Sequence, residues 1–391
     1  MRNEPGHAST FRLIVTGGGT GGHTYPALTS IRALQSRLAV EGRLLDVLWI
    51  GTADGLEARV AAAEGIAFAT VATGKIRRSS NPLKMMSAAN MRDMARVPLG
   101  VAQARKLVAD FRPDVVLATG GYVAVPAGLA ARMCRRPLVL HEQTVRLGLA
   151  NRKLAASATR IAVSSESTLS LLPESARSVA VVTGNPVRPE VLTGHAEKAV
   201  EALGLRGFAR QRPTVYVTGG AQGSQQINDA VRDVLPWLLT HANVIHQCGS
   251  DNFDALRQHT AALPAELAGR YYFTGFVGPE LPDVLALADV VISRSGAGTL
   301  AELTALGKAA VFIPLATSAG NEQAHNARHL HDAGAAVALL GEVTAATLRD
   351  AVGPLLMEPS RRASIAQQAL AHGKPDAADR LVDVILSAVS G

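Results

Sequence analysis

Two titratable side chains in this sequence follow predicted strands closely, where each is placed to act as a general base. His23 closes the glycine-rich run 17–23, and Glu142 lies in a His-Glu-Gln segment after the apolar run 137–140. An imidazole with its ordinary pKa of about 6.5 accepts a proton from a hydroxyl at neutral pH, and a positioned carboxylate can do the same. The sequence does not choose between the two, and helix capping or simple hydrogen bonding stays an alternative for each.

Three glycine-rich turns follow predicted strands and suggest where a ligand binds. Residues 17–23 contain the pattern Gly-x-Gly-x-x-Gly, and similar turns occupy residues 120–128 and 219–223. Glycines at a strand-to-helix turn let the backbone approach a phosphate, and the helix N-terminus supplies N–H donors. Because open parallel sheets bind ligands at the carboxyl ends of their strands, the three turns predict a shared cleft. Turns required only for packing are the alternative.

Several classes of site lack their sequence pattern. An NAD site expects an acidic residue at the end of the second strand, where Asp54 is an indifferent match. The chain has no Asp-x-Asp pair, no His-Glu-x-x-His zinc helix and no Gly-x-x-x-x-Gly-Lys-Ser/Thr phosphate loop. Two cysteines, Cys134 and Cys248, are too few for a disulfide framework or a Cys-rich zinc site. We therefore expect neither a metal nor a cofactor.

The segment 293–302 repeats the pattern of strand, glycine turn and helix, with Thr299 and Glu302 three residues apart. One interpretation is a capping box, in which Thr299 caps the helix and Glu302 returns to the backbone N–H of Thr299. The other is a ligand site, in which the helix N-terminus faces a phosphate and Glu302 accepts hydrogen bonds from sugar hydroxyls. Glu302 cannot serve both fully, and the spacing leaves the choice open.

The elements that would position these residues alternate between strand and helix. The chain has 391 residues, 48% of them hydrophobic, so it can build a core and is not intrinsically disordered. Short runs that are apolar on both faces predict parallel strands covered by helices, and therefore an α/β fold. The predicted strands are residues 11–16, 44–50, 113–119, 137–140, 160–163, 179–183, 214–218, 243–248, 271–273, 289–293 and 309–314.

The strands fall into two series that begin alike, at residues 11–23 and 214–224, with a strand, a glycine turn and a helix. Two doubly wound units in tandem explain this repeat. Two prolines in segment 184–189 break both strand and helix patterns and place the boundary there. An amphipathic last helix, at about residues 376–390, is suited to pack back on the first unit.

Positive charge is concentrated in one stretch. The net charge of the chain is +7, and the stretch from Gly74 to Arg112 contains nine basic residues but only two acidic ones. Cations beside apolar side chains suit an anionic membrane surface, with a solvated charge run as the alternative. Nucleic acid fits less well, because no aromatic residue between Phe68 and Phe111 can stack a base. The predicted membrane-contacting residues are Lys75, Ile76, Arg77, Arg78, Leu83, Lys84, Met85 and Met86.

The compartment is predicted from what the sequence lacks. The first ten residues are polar, unlike a signal peptide, and no run of about 18 apolar residues is long enough to span a bilayer. With the basic segment, these features predict a cytoplasmic protein that is peripheral on the cytoplasmic face of the cell membrane.

Taken in order, six motifs resemble the MurG family of bacterial glycosyltransferases. They are Gly-Gly-Thr-Gly-Gly-His, Gly-Gly-Tyr-Val, His-Glu-Gln, Gly-Asn-Pro-Val-Arg, Gly-Gly-x-Gln-Gly and Arg-Ser-Gly-Ala-x-Thr-x-x-Glu, within a resemblance that runs from Phe11 to about Ile385. It implies a GT-B fold, with two Rossmann-like doubly wound parallel-sheet domains facing across a cleft. We expect an acceptor and membrane-side domain at 1–186, completed by the helix 376–391, and a UDP-GlcNAc-binding domain at 187–375.

The resemblance also implies roles for individual residues, with His23 and Glu142 as catalytic candidates and Tyr122 and Asn228 on the acceptor side. The residues expected to bind the donor UDP-GlcNAc are Thr20, Gly21, Gly22, Thr144, Arg188, Ala221 (through its backbone), Val277 (beside uracil), Ala297, Gly298, Thr299, Glu302 (on ribose) and Gln323 (on the sugar). Three positions depart from the family pattern: Thr144 replaces an asparagine, Ala221 a serine and Gly298 a bulkier apolar residue.

The implied reaction is inverting transfer of N-acetylglucosamine from UDP-GlcNAc to the C4 hydroxyl of undecaprenyl-pyrophosphoryl-MurNAc-pentapeptide (lipid I), which gives lipid II for peptidoglycan. The expected partners are these substrates and an anionic membrane surface, without nucleic acid. Because Thr144 lies where sugar or acceptor contact is expected, a paralogue that glycosylates another polyprenyl or secondary-metabolite acceptor is one alternative. A UDP-GlcNAc 2-epimerase, which shares the fold and donor, is the alternative of another class, although the basic, apolar segment 74–86 argues against it.

Overall fold

The computed structural model describes residues 9–74, 88–209, 211–261 and 263–389. For residues 88–94 it describes the backbone alone. The chain divides into two compact units. The first contains Met1–Pro186 together with Asp376–Gly391, and the second contains Val187–Pro375.

The first unit is built on a sheet of seven parallel strands in the order β3-β2-β1-β4-β5-β6-β7. The strands are β1 (Thr10–Gly17), β2 (Leu44–Gly51), β3 (Ala67–Thr70), β4 (Val115–Gly120), β5 (Leu138–Glu142), β6 (Arg160–Val163) and β7 (Ala180–Val182). The strand order reverses between β1 and β4. At such a reversal the loops after the two strands diverge, and open α/β sheets bind their ligands there.

Helices cover both faces of this sheet. They are α1 (Gly21–Val40), α2 (Leu56–Ala63), α3 (Ala88–Phe111), α4 (Ala124–Met133), α5 (Leu149–Leu154), α6 (Glu166–Leu169) and α7 (Glu174–Arg177), with a 3₁₀ turn at Ala155–Ser157. Leu13 and Val15 of β1 pack with Leu34 of α1, whereas Ile14 belongs to the core of the other face with Val108 of α3. Because successive strand side chains point to opposite faces, an unbroken apolar run fits a sheet covered on both sides.

The second unit has a sheet of six parallel strands in the order β10-β9-β8-β11-β12-β13. The strands are β8 (Thr214–Thr218), β9 (Asn243–Gln247), β10 (Tyr271–Thr274), β11 (Val290–Ser293), β12 (Ala309–Phe312) and β13 (Val337–Ala338). The helices are α8 (Ala196–Ala202), α9 (Gln225–His241), α10 (Phe253–Thr260), α11 (Ala265–Ala268), α12 (Leu281–Leu287), α13 (Ala297–Ala305), α14 (Glu322–Asp332), α15 (Ala345–Met357) and α16 (Pro359–His372). Short 3₁₀ turns lie at Pro189–Thr193, Ser250–Asn252 and Ala319–Asn321.

This sheet is also buried on both faces. Val217 of β8 packs with Val231 and Leu235 of α9, and Tyr216 packs on the other face with Phe312 of β12. The second unit therefore has a core of its own, made from a continuous stretch of chain.

The last helix, α17 (Ala377–Ser387), packs on the first unit rather than on the second. Its side chains Leu381 and Ile385 are fully buried in the same core cluster as Leu13 of β1. At the surface, Arg37 of α1 donates to Asp383 across 3.1 Å. Both ends of the chain therefore contribute to the core of the first unit.

The predicted α/β fold with two doubly wound parallel sheets is confirmed, and each predicted strand is present with small differences at its ends. The difference that matters for the site is at β5, which ends at Glu142 rather than at residue 140, so His141 and Glu142 are strand residues. β3 and β13 were not predicted, because they are short strands at sheet edges without a long apolar run. Within the described ranges, no helix is long and apolar enough to cross a membrane.

Candidate functional site

The glycine turn between β1 and α1 is closed by a carboxylate from the protein itself. Glu57, in the first turn of α2, accepts a hydrogen bond from the Gly19 N–H at 3.0 Å. Its other oxygen accepts from the N–H and the hydroxyl of Thr52 at 3.1 and 2.8 Å. A Cβ at Gly18 would overlap this carboxylate. The Gly19 N–H is therefore already engaged and is not free to bind a phosphate.

Glu57 is ionised in this position. Its side chain is fully buried, and burial alone would raise the pKa of the carboxyl group. The hydrogen bonds from Gly19, from its own backbone N–H and from Thr52 outweigh burial, so the pKa lies below its ordinary value. The first unit thus holds a fixed negative charge beneath its glycine turn.

His23 lies in the first turn of α1, with its ring against the second glycine turn, after β4. A Cβ at Gly120 would come within 3.0 Å of the ring, and one at Gly121 within 3.4 Å. Both glycines also have left-handed φ angles, 104° and 80°, which side-chain-bearing residues rarely adopt. The ring Nδ1 lies 2.9 Å from Gln143 Oε1. For Nε2, no partner is found in the described part of the chain, so this nitrogen is the one presented for chemistry.

The other sequence-predicted residues of the first turn lie next to His23. Thr20 is exposed, and its carbonyl accepts from the N–H groups of His23 and Thr24, both at 3.2 Å, which starts α1. Tyr122 packs on Gly19, where an added Cβ would lie 3.2 Å from its ring. Thr20, Gly21, Gly22 and Tyr122 therefore belong to one local constellation around the imidazole.

Glu142, the second candidate base, is enclosed by hydrogen-bond donors. Its Oε1 accepts from the N–H and hydroxyl of Thr144 at 3.2 and 2.8 Å, and its Oε2 accepts from Gly148 N–H and Asn151 Nδ2 at 2.9 and 3.0 Å. Only 2% of the residue is exposed. Two donors on each oxygen occupy the lone pairs of the carboxylate. Glu142 therefore holds the loop after β5, and the geometry favours His23 as the base.

Thr144 shares this structural role. Its hydroxyl lies 2.8 Å from Glu142 Oε1 and 2.6 Å from the carbonyl of Arg146, and the residue is buried. The polar atom expected to face the donor sugar or the acceptor is instead engaged inside the loop. The departure from the family pattern at Thr144 therefore changes a contact inside the loop after β5 rather than a side chain that is exposed to a ligand.

In the second unit, helix α13 begins earlier than a capping box requires. Gly296 is its N-cap, no side chain caps it, and Thr299 is already its third residue. The capping-box interpretation of Thr299 and Glu302 is therefore wrong. The Glu302 carboxylate instead accepts from Arg188 Nε at 2.7 Å, which joins two residues predicted to bind the donor.

Arg294, just before α13, was not singled out from the sequence, although it belongs to one of the six motifs. Its guanidinium donates to the Ser224 hydroxyl at 2.7 Å, to Gln226 Oε1 at 2.8 Å, and to the carbonyls of Ile313 and Pro314 at 3.0 and 2.9 Å. Partial burial lowers the pKa of Arg294 below its usual value, but a guanidinium stays charged at neutral pH. A fixed cation therefore lies between the N-terminus of α9 and the carboxyl end of β12.

Gln247, at the end of β9, is a second residue that the sequence analysis missed. Its Nε2 donates to the Thr218 hydroxyl and the Gly220 carbonyl at 3.1 and 2.7 Å, and its Oε1 accepts from Val277 N–H at 2.9 Å. It therefore ties the glycine turn after β8 to the loop after β10. The Val277 side chain, predicted beside uracil, is 3% exposed and packs in the core, whereas Ala221 is exposed.

Gln323 and Asn228, two further predicted residues, differ in how many of their side-chain amide atoms are already hydrogen-bonded. Gln323, at the start of α14, accepts through Oε1 from Leu315 N–H at 3.0 Å, which turns its Nε2 donor the other way. Asn228 is buried in α9, where it donates to the Cys248 carbonyl at 2.9 Å and faces His246 Nε2 at 3.0 Å. Both ends of the Asn228 amide are therefore engaged within the second unit, and its place on the acceptor side stays a prediction.

The structure thus gathers the predicted residues into one group per unit. The first group is Thr20, Gly21, Gly22, His23, Tyr122, Glu142 and Thr144; the second is Arg188, Ala221, Asn228, Val277, Ala297, Gly298, Thr299, Glu302 and Gln323. The predicted membrane segment, residues 75–86, lies outside the described residues. Among the described residues, no group of three or more His, Cys, Asp or Glu side chains is arranged to hold a metal ion.

Comparison with known proteins identifies the family. The model of the glycosyltransferase family 28 N-terminal domain matches residues 13–163, and that of the C-terminal domain matches residues 214–381. A relative from Desulforudis audaxviator is 35% identical over 383 residues, which cover 96% of this chain and 97% of the relative. One from Halothermothrix orenii is 36% identical over 385 residues, covering 97% and 100%. Both are named UDP-N-acetylglucosamine–N-acetylmuramyl-(pentapeptide) pyrophosphoryl-undecaprenol N-acetylglucosamine transferase.

Solved structures give the same answer for the fold. MurG of Acinetobacter baumannii aligns with a TM-score of 0.74 and 26% identity, over 96% of this chain and 99% of that one. A UDP-GlcNAc 2-epimerase from Neisseria meningitidis, bound to UDP-GlcNAc, aligns with a TM-score of 0.65 over 97% and 100% of the two chains, but at 15% identity this likeness shows the fold alone. With both halves matched and the relatives covered end to end, the chain belongs to the MurG family of N-acetylglucosaminyltransferases, within glycosyltransferase family 28.

Proposed function

We propose that the protein transfers N-acetylglucosamine from UDP-GlcNAc to the C4 hydroxyl of lipid-linked muramyl-pentapeptide, lipid I, and so forms lipid II for peptidoglycan. The observation that carries this proposal is the similarity, over nearly the whole chain, to relatives whose names state this transfer. The two groups of site residues supply what such a reaction needs, which is a base and a place for the leaving diphosphate.

The first unit supplies the base. Nε2 of His23 accepts the proton of the C4 hydroxyl while the hydroxyl oxygen forms its bond to C1 of the sugar. The bond from C1 to the β-phosphate oxygen breaks, and UDP leaves with that electron pair, so the configuration at C1 is inverted. The enclosed Glu142 carboxylate keeps the loop behind His23 in place. Proton transfer to a positioned imidazole accelerates such a step by about 10²- to 10⁴-fold.

The second unit binds the donor and receives the leaving group. The first turn of α13, Ala297–Thr299, has no side-chain cap, so its N–H groups and the helix dipole can face a diphosphate. The Arg294 guanidinium, held by Ser224 and Gln226 at the N-terminus of α9, adds a full positive charge in the same unit. Glu302, held by Arg188, is suited to accept from the ribose hydroxyls, and the Gln323 amide to donate to the sugar. The N-terminus of α13 and the Arg294 guanidinium stabilise the negative charge that develops on UDP.

We also propose that the protein works at the cytoplasmic face of the membrane, since its acceptor is anchored in the bilayer. The basic and apolar side chains of segment 75–86 support this. Each cation near an anionic surface contributes about 1 kcal/mol. Co-sedimentation with anionic liposomes should fall when Lys75, Arg77, Arg78 and Lys84 are all changed to Gln. Equal binding of variant and wild type would leave the segment without this role.

The transfer itself is tested with radiolabelled UDP-GlcNAc, with and without lipid I. We expect label in a lipid product only when lipid I is present. Label that instead appears in UDP-N-acetylmannosamine without any acceptor would identify a 2-epimerase. Label transferred to another polyprenyl acceptor but not to lipid I would identify a paralogue with a different acceptor.

A further inference from the structure

A chain of hydrogen bonds leads from the backbone to the imidazole of His23. His141 Nε2 lies 3.1 Å from the carbonyl oxygen of Gly184. His141 Nδ1 lies 3.0 Å from Gln143 Nε2, and Gln143 Oε1 lies 2.9 Å from His23 Nδ1. His141 is fully buried and Gln143 is 3% exposed, so water does not compete for these groups.

The donor and acceptor of each hydrogen bond in this series can be assigned by starting from the Gly184 carbonyl. A carbonyl oxygen can only accept, so His141 Nε2 carries a proton and donates to Gly184. Burial lowers the pKa of His141 to about 4, against the opposing effect of the Gly184 bond, and the charge of His23 lowers it further. The ring is therefore neutral at physiological pH, and its Nδ1 must accept from the Gln143 amide.

The Gln143 amide is fixed a second time by the backbone. Its Nε2 also donates to the carbonyl of His141 at 3.0 Å, so two acceptors lie on the same side of the amide. Its Oε1 is therefore the atom that faces His23, and an amide oxygen can only accept. His23 Nδ1 must then carry the ring proton when His23 is neutral.

We propose that Gln143, held by His141 and the Gly184 carbonyl, is a positioning residue that fixes His23 in the tautomer whose Nε2 lone pair takes the proton of the acceptor hydroxyl. Only the statement that this proton comes from the acceptor hydroxyl rests on the proposed function. The glycine turn at Gly120 and Gly121 holds the plane of the ring, and Gln143 sets which nitrogen is basic.

The hydrogen-bonded series from the Gly184 carbonyl through His141 and Gln143 to His23 contains no carboxylate, which sets it apart from a carboxylate–histidine pair. The other titratable groups on the elements around His23 are Tyr25 on α1, Glu57 on α2, Tyr122 after β4 and Glu142 on β5. Both carboxylates are engaged elsewhere, that of Glu57 by Gly19 and Thr52 and that of Glu142 by Thr144, Gly148 and Asn151. An amide fixes the tautomer without the strong preference for imidazolium that a carboxylate partner would introduce. The amide therefore sets which nitrogen faces outward without placing a charge against the ring.

The test is the tautomer of His23 in the full-length protein, read from ¹⁵N imidazole shifts after labelling with ¹⁵N-histidine and assigned by loss of the signal in His23→Ala. In the wild type we expect the Nδ1–H form. Gln143→Met keeps the shape but removes the amide, so a mixture with the Nε2–H form should appear. His141→Phe removes one of the two acceptors of the Gln143 amide and the link to Gly184 but leaves the His141 carbonyl, so a smaller share of the Nε2–H form should appear than in Gln143→Met.

Kinetics provide the second readout. Gln143→Met should lower kcat at least about tenfold with KM for UDP-GlcNAc unchanged, since a wrong tautomer removes the base. The matched control is Gln103→Met, the same change at an exposed glutamine of α3, which should alter neither readout. An Nε2–H form in the wild type, or an unchanged tautomer in folded Gln143→Met, overturns the proposal. If the tautomer behaves as expected but His23→Ala keeps full activity, the relay stands and the role of His23 as the base fails instead.

Discussion

The glycine turns at residues 17–22 in the first unit and 293–299 in the second both follow a strand and start a helix, but opposite charges complete them. In the first turn, the Glu57 carboxylate accepts from Gly19 and fills the space beside Gly18. In the second, an added Cβ at Gly296 or Gly298 would meet nothing within 4 Å among the residues described. The segment of this second turn also contributes a cation, Arg294, whose guanidinium is held by Ser224 and Gln226.

This difference shows that a glycine pattern specifies a backbone shape and not a ligand. The first turn is neutralised from within, so it serves as a rigid frame for the imidazole of His23. In the second, no side chain caps the helix N-terminus, so its positive potential is open to an anion from outside. We therefore expect the second turn, and not the first, to bind the diphosphate.

The strongest test of the first turn's role is His23→Ala. We expect kcat to fall by about 10²- to 10³-fold because the base is lost, whereas the Kd for UDP should change less than about twofold. Steady-state kinetics and calorimetric titration of UDP measure the two quantities. His259→Ala, at an exposed position of α10, is the control and should change neither. A large loss of UDP affinity in His23→Ala would mean that both turns bind the donor.

Acid should destabilise both units through a buried histidine in each. Burial lowers the pKa of His141 to about 4 and that of His246 to about 3, so both stay neutral in the folded protein while the unfolded chain takes up protons below about 6.5. Their stabilisation is complete above pH 6.5 and is lost as the pH falls toward 4. For His141 the loss is on the order of 3 kcal/mol.

Thermal unfolding of the wild type and His141→Gln between pH 7.5 and 4.5 measures this effect. The amide can replace both hydrogen bonds of the ring but does not titrate, so the variant should lose less stability on acidification. Equal pH dependence of the two proteins would show that His141 is not the responsible group.

The second turn can be tested by giving it the charge of the first. Gly298→Asp places a carboxylate in the first turn of α13, where there is room for it and where the helix dipole favours it, so folding should be kept. Repulsion of about 2 kcal/mol between this charge and the diphosphate should weaken UDP binding about 30-fold. Gly298→Ala, the matched neutral change, should weaken it less than about threefold. Similar affinities for the Asp and Ala variants would place the diphosphate elsewhere.

The reverse change, Glu57→Gln, removes the internal charge of the first turn. An amide cannot accept from all of its donors, so the free energy of unfolding should fall by about 1–2 kcal/mol while the Kd for UDP stays the same. Because the pKa of Glu57 is lowered, its contribution is present at neutral pH and lost in acid below its ordinary value of 4.5, where wild type and variant should converge. Glu64→Gln, which breaks a partly exposed pair with Arg32, is the control and should cost less than about 0.5 kcal/mol. Tighter UDP binding by Glu57→Gln would show that the carboxylate only competes with a phosphate at this turn.

The smallest effect is expected from chelation. A helix N-terminus and a guanidinium supply positive charge at the second turn, and the sequence has no Asp-x-Asp pair. Turnover in EDTA should therefore stay within about twofold of its value with magnesium. A complete loss that Mg²⁺ restores would count against this account of the leaving group.

The fold could be predicted because its signals are local. Each long strand is an apolar run of its own, and the glycine turns mark where strands give way to helices. A local pattern is misleading where a helix begins at a different residue from the one that the pattern suggests. Thr299 and Glu302 have capping-box spacing, but β11 ends at Ser293 and α13 has already started at Ala297. Whether Thr299 caps the helix depends on the conformation of residues 294–296, which the spacing does not reveal.

The charges and contacts that complete the site are distant in sequence and left no local signal. Glu57 reaches Gly19 from 38 residues away, and Gln143 reaches His23 from 120 residues away. A glutamate in an amphipathic helix or a glutamine after a strand is unremarkable until folding brings its partner within 3 Å. Two of the six motifs do contain such residues, His-Glu-Gln with Gln143 and Arg-Ser-Gly-Ala with Arg294, but a motif does not show which partner the side chain meets.

The packing of α17 on the first unit affects how the protein is made. Its Leu381 and Ile385 complete the core around Leu13, so this core lacks one of its walls until α17 has been translated. The second unit, Val187–Pro375, leaves the ribosome complete before that. Because domains fold as units during synthesis, the middle of the chain can reach its native state before the beginning does. A nascent chain stalled before α17 would therefore expose apolar surface from its oldest residues, which makes early termination a route to aggregation rather than to a shorter enzyme.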